Sequence, residues 1–532
     1  MKKKKDRVFI YDTTLRDGAQ SEGVSFSTED KIEILKKLDS FGIDFVEGGW
    51  PSSNPKDDEF FAQASKLKLR RTALTAFGST CRHDVPAEND AGMKALAAAG
   101  AEWVCIFGKA WDFHVTEALK IPLNENLRMV GDSVAYLKGN GKKVIFDCEH
   151  FFDGHKKNRN YAMDVVRAAV NGGADWIILC DTNGGSLPGE VSAATRDVIR
   201  AVDAKVGIHC HNDSDLAVAC SLAAVESGAR MVQGTINGIG ERCGNANLCS
   251  IMPDLSIKMG YDIGKMDLTK LSALSGFVGE TANMSPHPGL PYVGERAFAH
   301  KGGMHISALS RDTRTYEHVS PDSVGNKRKI LISDLAGRAS ISAKLKELGI
   351  SGNDEENREI LGLIKDLEAE GYQFDYAEAS FEMLVKRFKG EIVRPFNVIG
   401  FRMYIDEIGE KGIVSEASVK VVDRFGNIEH TASDGDGPVN ALDGALRKAL
   451  ARFYPVLNSV RLIDYKVRVL DEKAATAATV RVLIRSTDGS DSWTTVGVSK
   501  NVIEASFLAL VDSMEYAVIK HESTKQGKKK KK

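Results

Sequence analysis

The sequence predicts an α/β chain built on a parallel eight-stranded (β/α)8 barrel of the TIM type, followed by small helical accessory subdomains and a C-terminal α+β domain. Three observations carry this. Between residues 8 and 237, short β-branched or aromatic runs alternate with helix-period segments eight times over. Polar residues gather where those runs end, which is where a parallel barrel presents its chemistry. Beyond residue 395, two segments alternate like half-exposed strands, and each leads into an Ala/Leu-rich helix.

The expected strands are Val8–Asp12, Phe45–Gly48, Ala73–Phe77, Trp103–Phe107, Lys143–Asp147, Trp176–Asp181, Val206–His211 and Met231–Asn237. Helical patterns such as Glu29–Phe41 and Leu216–Ser227 fill the gaps, with Gly42 and Gly228 as helix C-caps. A doubly wound open sheet is the alternative, but no G-x-G-x-x-G follows the first strand. The chain ends of these runs give a polar ring: Asp12, Arg16, Asp17, Glu47, Lys109, Glu149, Asp181, Thr182, His209, His211, Asn237 and Glu241. Inward charges at that density are costly unless they pair or hold a metal. Within Ile208-His209-Cys210-His211-Asn212-Asp213, the two imidazoles lie two apart on a strand and share a face, half of a metal site. An isolated His-x-His serves structurally at least as often, so the ring is what gives the pair its meaning.

After the barrel, Pro286, Pro288 and Pro291 mark a linker. Phe298–Leu309 and the segment to Gly337 read as small helices and loops, and Ser340–Phe388 as charged helices. Ala417–Val422 matches Ala478–Leu483, and Asn440–Asp443 matches Asn501–Glu504, so the C-terminal domain is expected to hold two ββα-like repeats. The domain reading is 6–275 for the barrel, 276–390 for linker and accessory helices, 391–524 for a regulatory or dimerising domain, and 525–532 for a basic solvated tail.

Composition narrows the classes of function. Lys+Arg total 71 against Asp+Glu 73, so neither nucleic acid nor an anionic membrane is an expected partner. There is no apolar run long enough to span a bilayer. The basic start Met1–Lys5 lacks the apolar stretch of an export signal, and the eight scattered Cys suit reduced thiols, so a cytoplasmic location is expected.

Three motifs then carry a resemblance. Tyr11–Gln20 (YDTTLRDGAQ), His209–Asp213 (HCHND) and Gly238–Ala246 (GIGERCGNA) together resemble the 2-isopropylmalate synthase/homocitrate synthase/citramalate synthase family of metal-dependent Claisen-condensing barrels. Glu47–Pro51, Asn54–Asp57 and Gly18–Val24 are most similar to its citramalate synthase subgroup. Ala19 departs from the Glu common in 2-isopropylmalate synthases, and Ser333–Arg338 departs from the family's Gly-Lys-x-Ser-Gly-Arg form.

The resemblance implies Asp17, His209, His211 and Asn245 as ligands of a divalent metal, with Mn, Mg and Zn all compatible with such a mixed N/O set. It implies Arg16 as the oxyanion-stabilising cation, Glu47 as its holder, Glu149 as the catalytic carboxylate, and Thr182 and Gln20 as substrate contacts. His305, rather than the nearby His300, matches the acid/base histidine, which in the family reaches the site from the partner chain of a homodimer. The reaction implied is condensation of acetyl-CoA with pyruvate to (R)-citramalate, feeding isoleucine synthesis. Isoleucine is then the expected effector, at Asp434–Val439 in the C-terminal domain. Trp50, beside the second strand end, is expected to limit the pocket for the 2-oxo acid. Other readings are a different 2-oxo acid acceptor, a lyase on the same barrel, a non-haem iron oxygenase sharing the two-His-one-carboxylate set, and a non-catalytic amino-acid-binding barrel.

Overall fold

The computed structural model describes residues 6–332, 338–407, 413–471 and 477–530. The departure at Ser333–Gly337 and the ends of the basic tail therefore lie outside the described residues. The chain divides into two compact units, Met1–Phe298 with Val319–Arg328, and Ala299–His318 with Lys329–Lys532.

The first unit is the expected barrel. Strands β1 (Phe9–Asp12), β2 (Phe45–Gly49), β3 (Ala73–Ser79), β4 (Trp103–Lys109), β5 (Lys143–Glu149), β6 (Trp176–Asp181), β7 (Lys205–Cys210) and β8 (Met231–Gly234) close in sequence order. Closure is made by parallel pairing of β1 with β8, in which Tyr11 faces Gln233. The period-two alternation of a strand separates two cores. Ile10, Val46, Val144, Phe146, Ile208 and Cys210 pack outward under the helices. Tyr11, Phe45, Ile145, Trp176, Ile178 and Met231 fill the barrel interior. One step further along the inward rows of β2, β5, β7 and β8 come Glu47, Asp147, His209 and Gln233, all buried. The mouth is polar because the inward rows change from apolar to polar at their C-terminal ends.

Four of the helices between strands start at a side-chain cap. Ser27 and Asp30 form a capping box at Thr28–Phe41, which ends at Gly42 with φ +104°. Asn54, Asp90 and Asn158 cap the helices that follow them.

In the second unit, a two-stranded sheet pairs β9 (Ala299–His300) with β10 (Lys329–Ile330), and helices Gly303–Leu309, Arg338–Glu347, Asp354–Ala369 and Glu378–Phe388 follow. The C-terminal halves are richer than the ββα-like repeats expected. Each is βββα: β11 (Phe396–Glu407), β12 (Ile413–Asp423), β13 (Ile428–Gly435) and helix Pro438–Phe453, then β14 (Arg461–Val469), β15 (Val480–Thr487), β16 (Ser492–Ser499) and helix Val502–Lys530. The extra strand is β13 or β16, short and polar on its exposed face, so it lacks a clean alternation.

The repeat is visible in side-chain chemistry. Thr431 donates to the Ala445 carbonyl at 2.8 Å, and Thr495 to that of Ala509 at 2.7 Å. These pairs lie 64 positions apart, whereas matching Asn440 with Asn501 implies 61. Asn501 caps its helix by accepting from Ile503 N, while Asn440 sits inside the preceding one and accepts from Asp436 N. The strand–turn–helix geometry, not the Asn motif, sets the true register.

The accessory helices and the C-terminal sheets fall in one compact unit. The accessory helices bury Ile341, Leu345, Ile360, Ile364, Phe381 and Val385 together with Val496 of β16. Arg387 is tied to Asp512 at 2.7 Å and Glu515 at 2.6 Å on the last helix.

Candidate active site at the barrel mouth

The site is best built outward from Asp17, which follows β1. Its Oδ2 lies 3.7 Å from His209 Nε2 and 3.8 Å from His211 Nε2. These three residues form a buried group whose ligand atoms lie within 4.8 Å of one another, the one such group found among the described residues. Asn245 joins them: its Nδ2 donates to Asp17 Oδ1 at 2.8 Å, while its Oδ1 is buried without a hydrogen-bond partner. An orphaned amide oxygen beside a carboxylate and two imidazoles is a donor set that fits a divalent metal. Gly240 leaves the space this requires, since a Cβ there would lie 2.2 Å from Asn245 Nδ2 and 3.2 Å from Asp17 Oδ1.

The electrostatics suit a cation. Burial, and then the Asp17 charge opposing it, leave His209 below its ordinary value. Burial and the neighbouring His209 bring His211 down to about 4. Both imidazoles are therefore neutral and able to donate a lone pair near neutral pH. Burial pushes the Asp17 carboxyl up, but Arg16, His209 and His211 together hold it well below the usual carboxylate range. His209 Nδ1 is bonded to Gln233 Oε1 at 2.9 Å, and Gln233 Nε2 donates to Asp147 Oδ1 at 3.1 Å. His211 Nδ1, by contrast, is buried and unpartnered.

Arg16 lies against this group. Its Nη1 donates to Asp17 Oδ2 at 3.0 Å, and its Nε donates to Glu47 Oε1 at 2.6 Å. Glu47 is wholly buried, and accepts from Thr13 Oγ1 at 2.7 Å and from Tyr11 OH at 2.6 Å. The guanidinium carbon sits 3.8 Å over the Phe77 ring. Phe77 stacks on Phe107 at 5.5 Å, and Trp50 meets both edge-on at 5.8 Å. A planar cation is thus clamped between a carboxylate and an aromatic face, and its Nη2 makes no protein bond among the described residues.

The other expected site residues have different partners. Glu149 pairs with Lys109, and both are partly exposed. Thr182 Oγ1 accepts from His150 N at 2.9 Å, at a residue with φ +58°. Gln20 is exposed in a short turn, with its N–H on the Asp17 carbonyl at 2.9 Å. Asp12, raised to about 7 by burial, binds Thr14 N and Oγ1 and orders the turn after β1. Asp181 holds Ser186, and Asn237 is bound to Ser275, so both act in the scaffold. Glu241 is exposed. His305 belongs to the second unit, where it is exposed and stacked on Tyr316 at 4.0 Å. His300 faces Glu317 at 3.4 Å.

Sequence reasoning missed Tyr11, Thr13, Phe77, Asp147 and Gln233 as site residues. Each is an inward residue of β1, β3, β5 or β8 or lies just past one, so counting in twos from Glu149 or from Met231 identifies Asp147 and Gln233. Asp147 is raised to about 7 by burial and by Glu47.

Known proteins resemble the chain along almost its whole length. Residues 7–278 match the HMGL-like family, residues 292–372 the homocitrate synthase post-HMGL domain-like family, and residues 375–518 the LeuA allosteric (dimerisation) domain. The chain is 55% identical to the (R)-citramalate synthase of Aquifex aeolicus over 97% of its own length and 99% of the relative's. It is 53% identical to that of Geobacter sulfurreducens, covering 98% and 99%. Identity to the 2-isopropylmalate synthase of Methanocaldococcus jannaschii is 31%, over 97% and 96%. The chain therefore belongs to the HMGL-like family and, within it, to the (R)-citramalate synthases.

Proposed function

We propose that the chain condenses acetyl-CoA with pyruvate and hydrolyses the thioester, releasing (R)-citramalate and CoA. The observation that carries this reading is Arg16, clamped by Glu47 and Phe77 and in contact with a carboxylate–imidazole set that fits a metal. Asp17, His209, His211 and Asn245 would hold the ion, with Mn, Mg and Zn as candidates; bound there, it supplies a Lewis acid for the 2-oxo acid. Arg16 has Nη2 to offer the oxygen that gains charge as the ketone is attacked, and its fixed geometry needs no rearrangement at that moment. Glu47 keeps the guanidinium in place. His305 removes a proton from the acetyl methyl, assisted by Glu149, and Thr182 and Gln20 contact the acceptor. The Trp50–Phe77–Phe107 wall keeps the acceptor's alkyl pocket small, which supports pyruvate over longer 2-oxo acids.

The same reading makes the enzyme a homodimer with a shared site, working in the cytoplasm and inhibited by isoleucine at its C-terminal domain. The match to a LeuA allosteric (dimerisation) domain and eight unpaired thiols support it. Among the described residues, no helix is long and apolar enough to cross a membrane. A cavity of about 540 Å³, lined by Val439, Asp443, Arg447, Arg461, Leu462 and Tyr465, offers both charge signs and apolar surface for an amino acid.

The deciding assay follows CoA release with pyruvate, 2-oxoisovalerate and 2-oxoglutarate in parallel. Pyruvate should have the highest kcat/KM, and a higher value for either of the others rejects the pyruvate reading. Val439→Trp, which fills the cavity, should weaken isoleucine inhibition while leaving the uninhibited rate. Unchanged inhibition would put the effector elsewhere.

A further inference from the structure

The interior of the barrel holds a buried chain of polar side chains that the proposed reaction does not use directly. His209 Nδ1 lies 2.9 Å from Gln233 Oε1, and Gln233 Nε2 lies 3.1 Å from Asp147 Oδ1. The three residues come from β7, β8 and β5, and are 4%, 0% and 4% exposed. β8 pairs with β7 so that His209 and Gln233 are direct neighbours, and Asp147 reaches Gln233 from β5.

We propose that Gln233 and Asp147 are positioning residues that lock His209 in the tautomer able to bind a metal, with Asp147 setting the orientation of the Gln233 amide. The logic is one of donors and acceptors. In its carboxylate form Asp147 can only accept, and it takes a hydrogen bond from the Gln233 NH2 group. The amide oxygen of Gln233 must then face His209, where it can only accept, so the His209 proton resides on Nδ1. That leaves the Nε2 lone pair directed to Asp17 and the metal position. Were the amide reversed, its NH2 would face Nδ1, the proton would move to Nε2, and a ligand would be lost. Water cannot substitute for these contacts in a fully buried row, because each broken bond leaves a desolvated polar atom. His211 has no such partner, and its Nδ1 is buried and unbonded. The relay thus fixes one imidazole and leaves the other to be ordered by the ion itself.

This inference rests on the metal-site reading above, and its test separates the two. Full-length protein is labelled with 15N-histidine and freed of metal with chelator, and the His209 tautomer is read by NMR. Mn2+ affinity is measured on the same samples by titration, with thermal melting as the check on folding. The wild type should show His209 protonated on Nδ1. Gln233→Met, which fills the same volume without an acceptor, should shift His209 toward the Nε2-protonated form and weaken Mn2+ binding about 10- to 100-fold. Asp147→Asn is isosteric and less disruptive to folding; it frees the amide to reverse and should give a smaller change in the same direction. An unchanged tautomer in Asp147→Asn overturns the role of Asp147, and an Nε2-protonated His209 in the wild type overturns the relay altogether. If wild type and His209→Ala bind Mn2+ equally poorly, the metal reading fails, and the tautomer measurement still judges the relay.

Discussion

The two sides of the barrel mouth differ in how firmly their charged groups are held. Where β1, β2, β7 and β8 end, each charge has several fixed partners: Glu47 takes bonds from Tyr11, Thr13 and Arg16, and Asp17 from Arg16 and Asn245. Where β4 and β5 end, Lys109 and Glu149 have mainly each other, and both are about one-fifth exposed, at 19% and 22%. Buried and cross-bonded groups are preorganised for electrostatic work, which gains from charges that need not move. A partly exposed carboxylate is better suited to proton transfer, which needs a group that can change charge and shift slightly. The contrast divides the proposed labour between binding an oxyanion and moving a proton.

The largest expected effect is on the firm side. Asp17→Asn, His209→Ala or His211→Ala should abolish turnover with the fold intact, because each removes a ligand from a shared set. Chelator should do the same to the wild type, and a rate that survives chelation would refute the metal assignment.

Next comes a pair of substitutions whose chemical conservatism and expected effect run opposite ways. Arg16→Lys keeps the charge but loses the planar fork, so the rate should fall about a hundredfold or more. Lys109→Met removes a charge outright, yet from a partly exposed pair that touches neither Arg16 nor Asp17, so a smaller loss than that of Arg16→Lys is expected. If the order of these two losses is reversed, the division drawn here between the two sides fails. For the proposed proton transfer, His305→Ala should lower kcat more than it raises the KM for pyruvate. Mixing inactive Arg16 and His305 variants should recover activity if subunits share the site.

A smaller effect is expected in the aromatic wall next to Arg16. Trp50→Ala should raise kcat/KM for 2-oxoisovalerate relative to pyruvate by about tenfold, in line with about 1–3 kcal/mol per methylene of pocket discrimination. No change in the ratio would remove Trp50 from the selectivity argument.

The smallest effect is on the stability of the metal-free protein. His211 is brought down to about 4 in the folded chain by burial and by His209, below the ordinary 6.5. Between those values the unfolded chain binds the proton more readily, so stability falls as pH is lowered from 6.5 toward 4. Asp17, held low, adds a loss in the same direction at still lower pH. Melting of His211→Gln should be less sensitive across pH 6.5 to 4, and an equal slope would show that other groups carry the dependence.

Much of this was written along the chain. Barrel strands buried on both faces leave strong local marks: apolar runs, capped helices between them, and polar residues at their ends. The spacing of His209 and His211, two apart at the end of β7, is enough to put both imidazoles on one face. Register in the C-terminal halves was less legible, because β13 and β16 alternate weakly and the Asn440 and Asn501 motifs sit at different helix positions.

What the sequence by itself determined was the eightfold alternation and many of the mouth residues, set by local patterns, and the existence of a repeat, set by self-similarity at longer range. What only the tertiary structure decided was which mouth residues meet. Tyr11, Glu47, Asp147, His209 and Gln233 are brought together by barrel closure, a pairing of β1 with β8 across more than two hundred residues. Closure also sorts the ring, drawing Arg16 and Asp17 to the metal-fitting set while Asp12, Asp181 and Asn237 turn to hold loops. Local pattern tells which way a side chain points, and only the closed sheet tells what it points at.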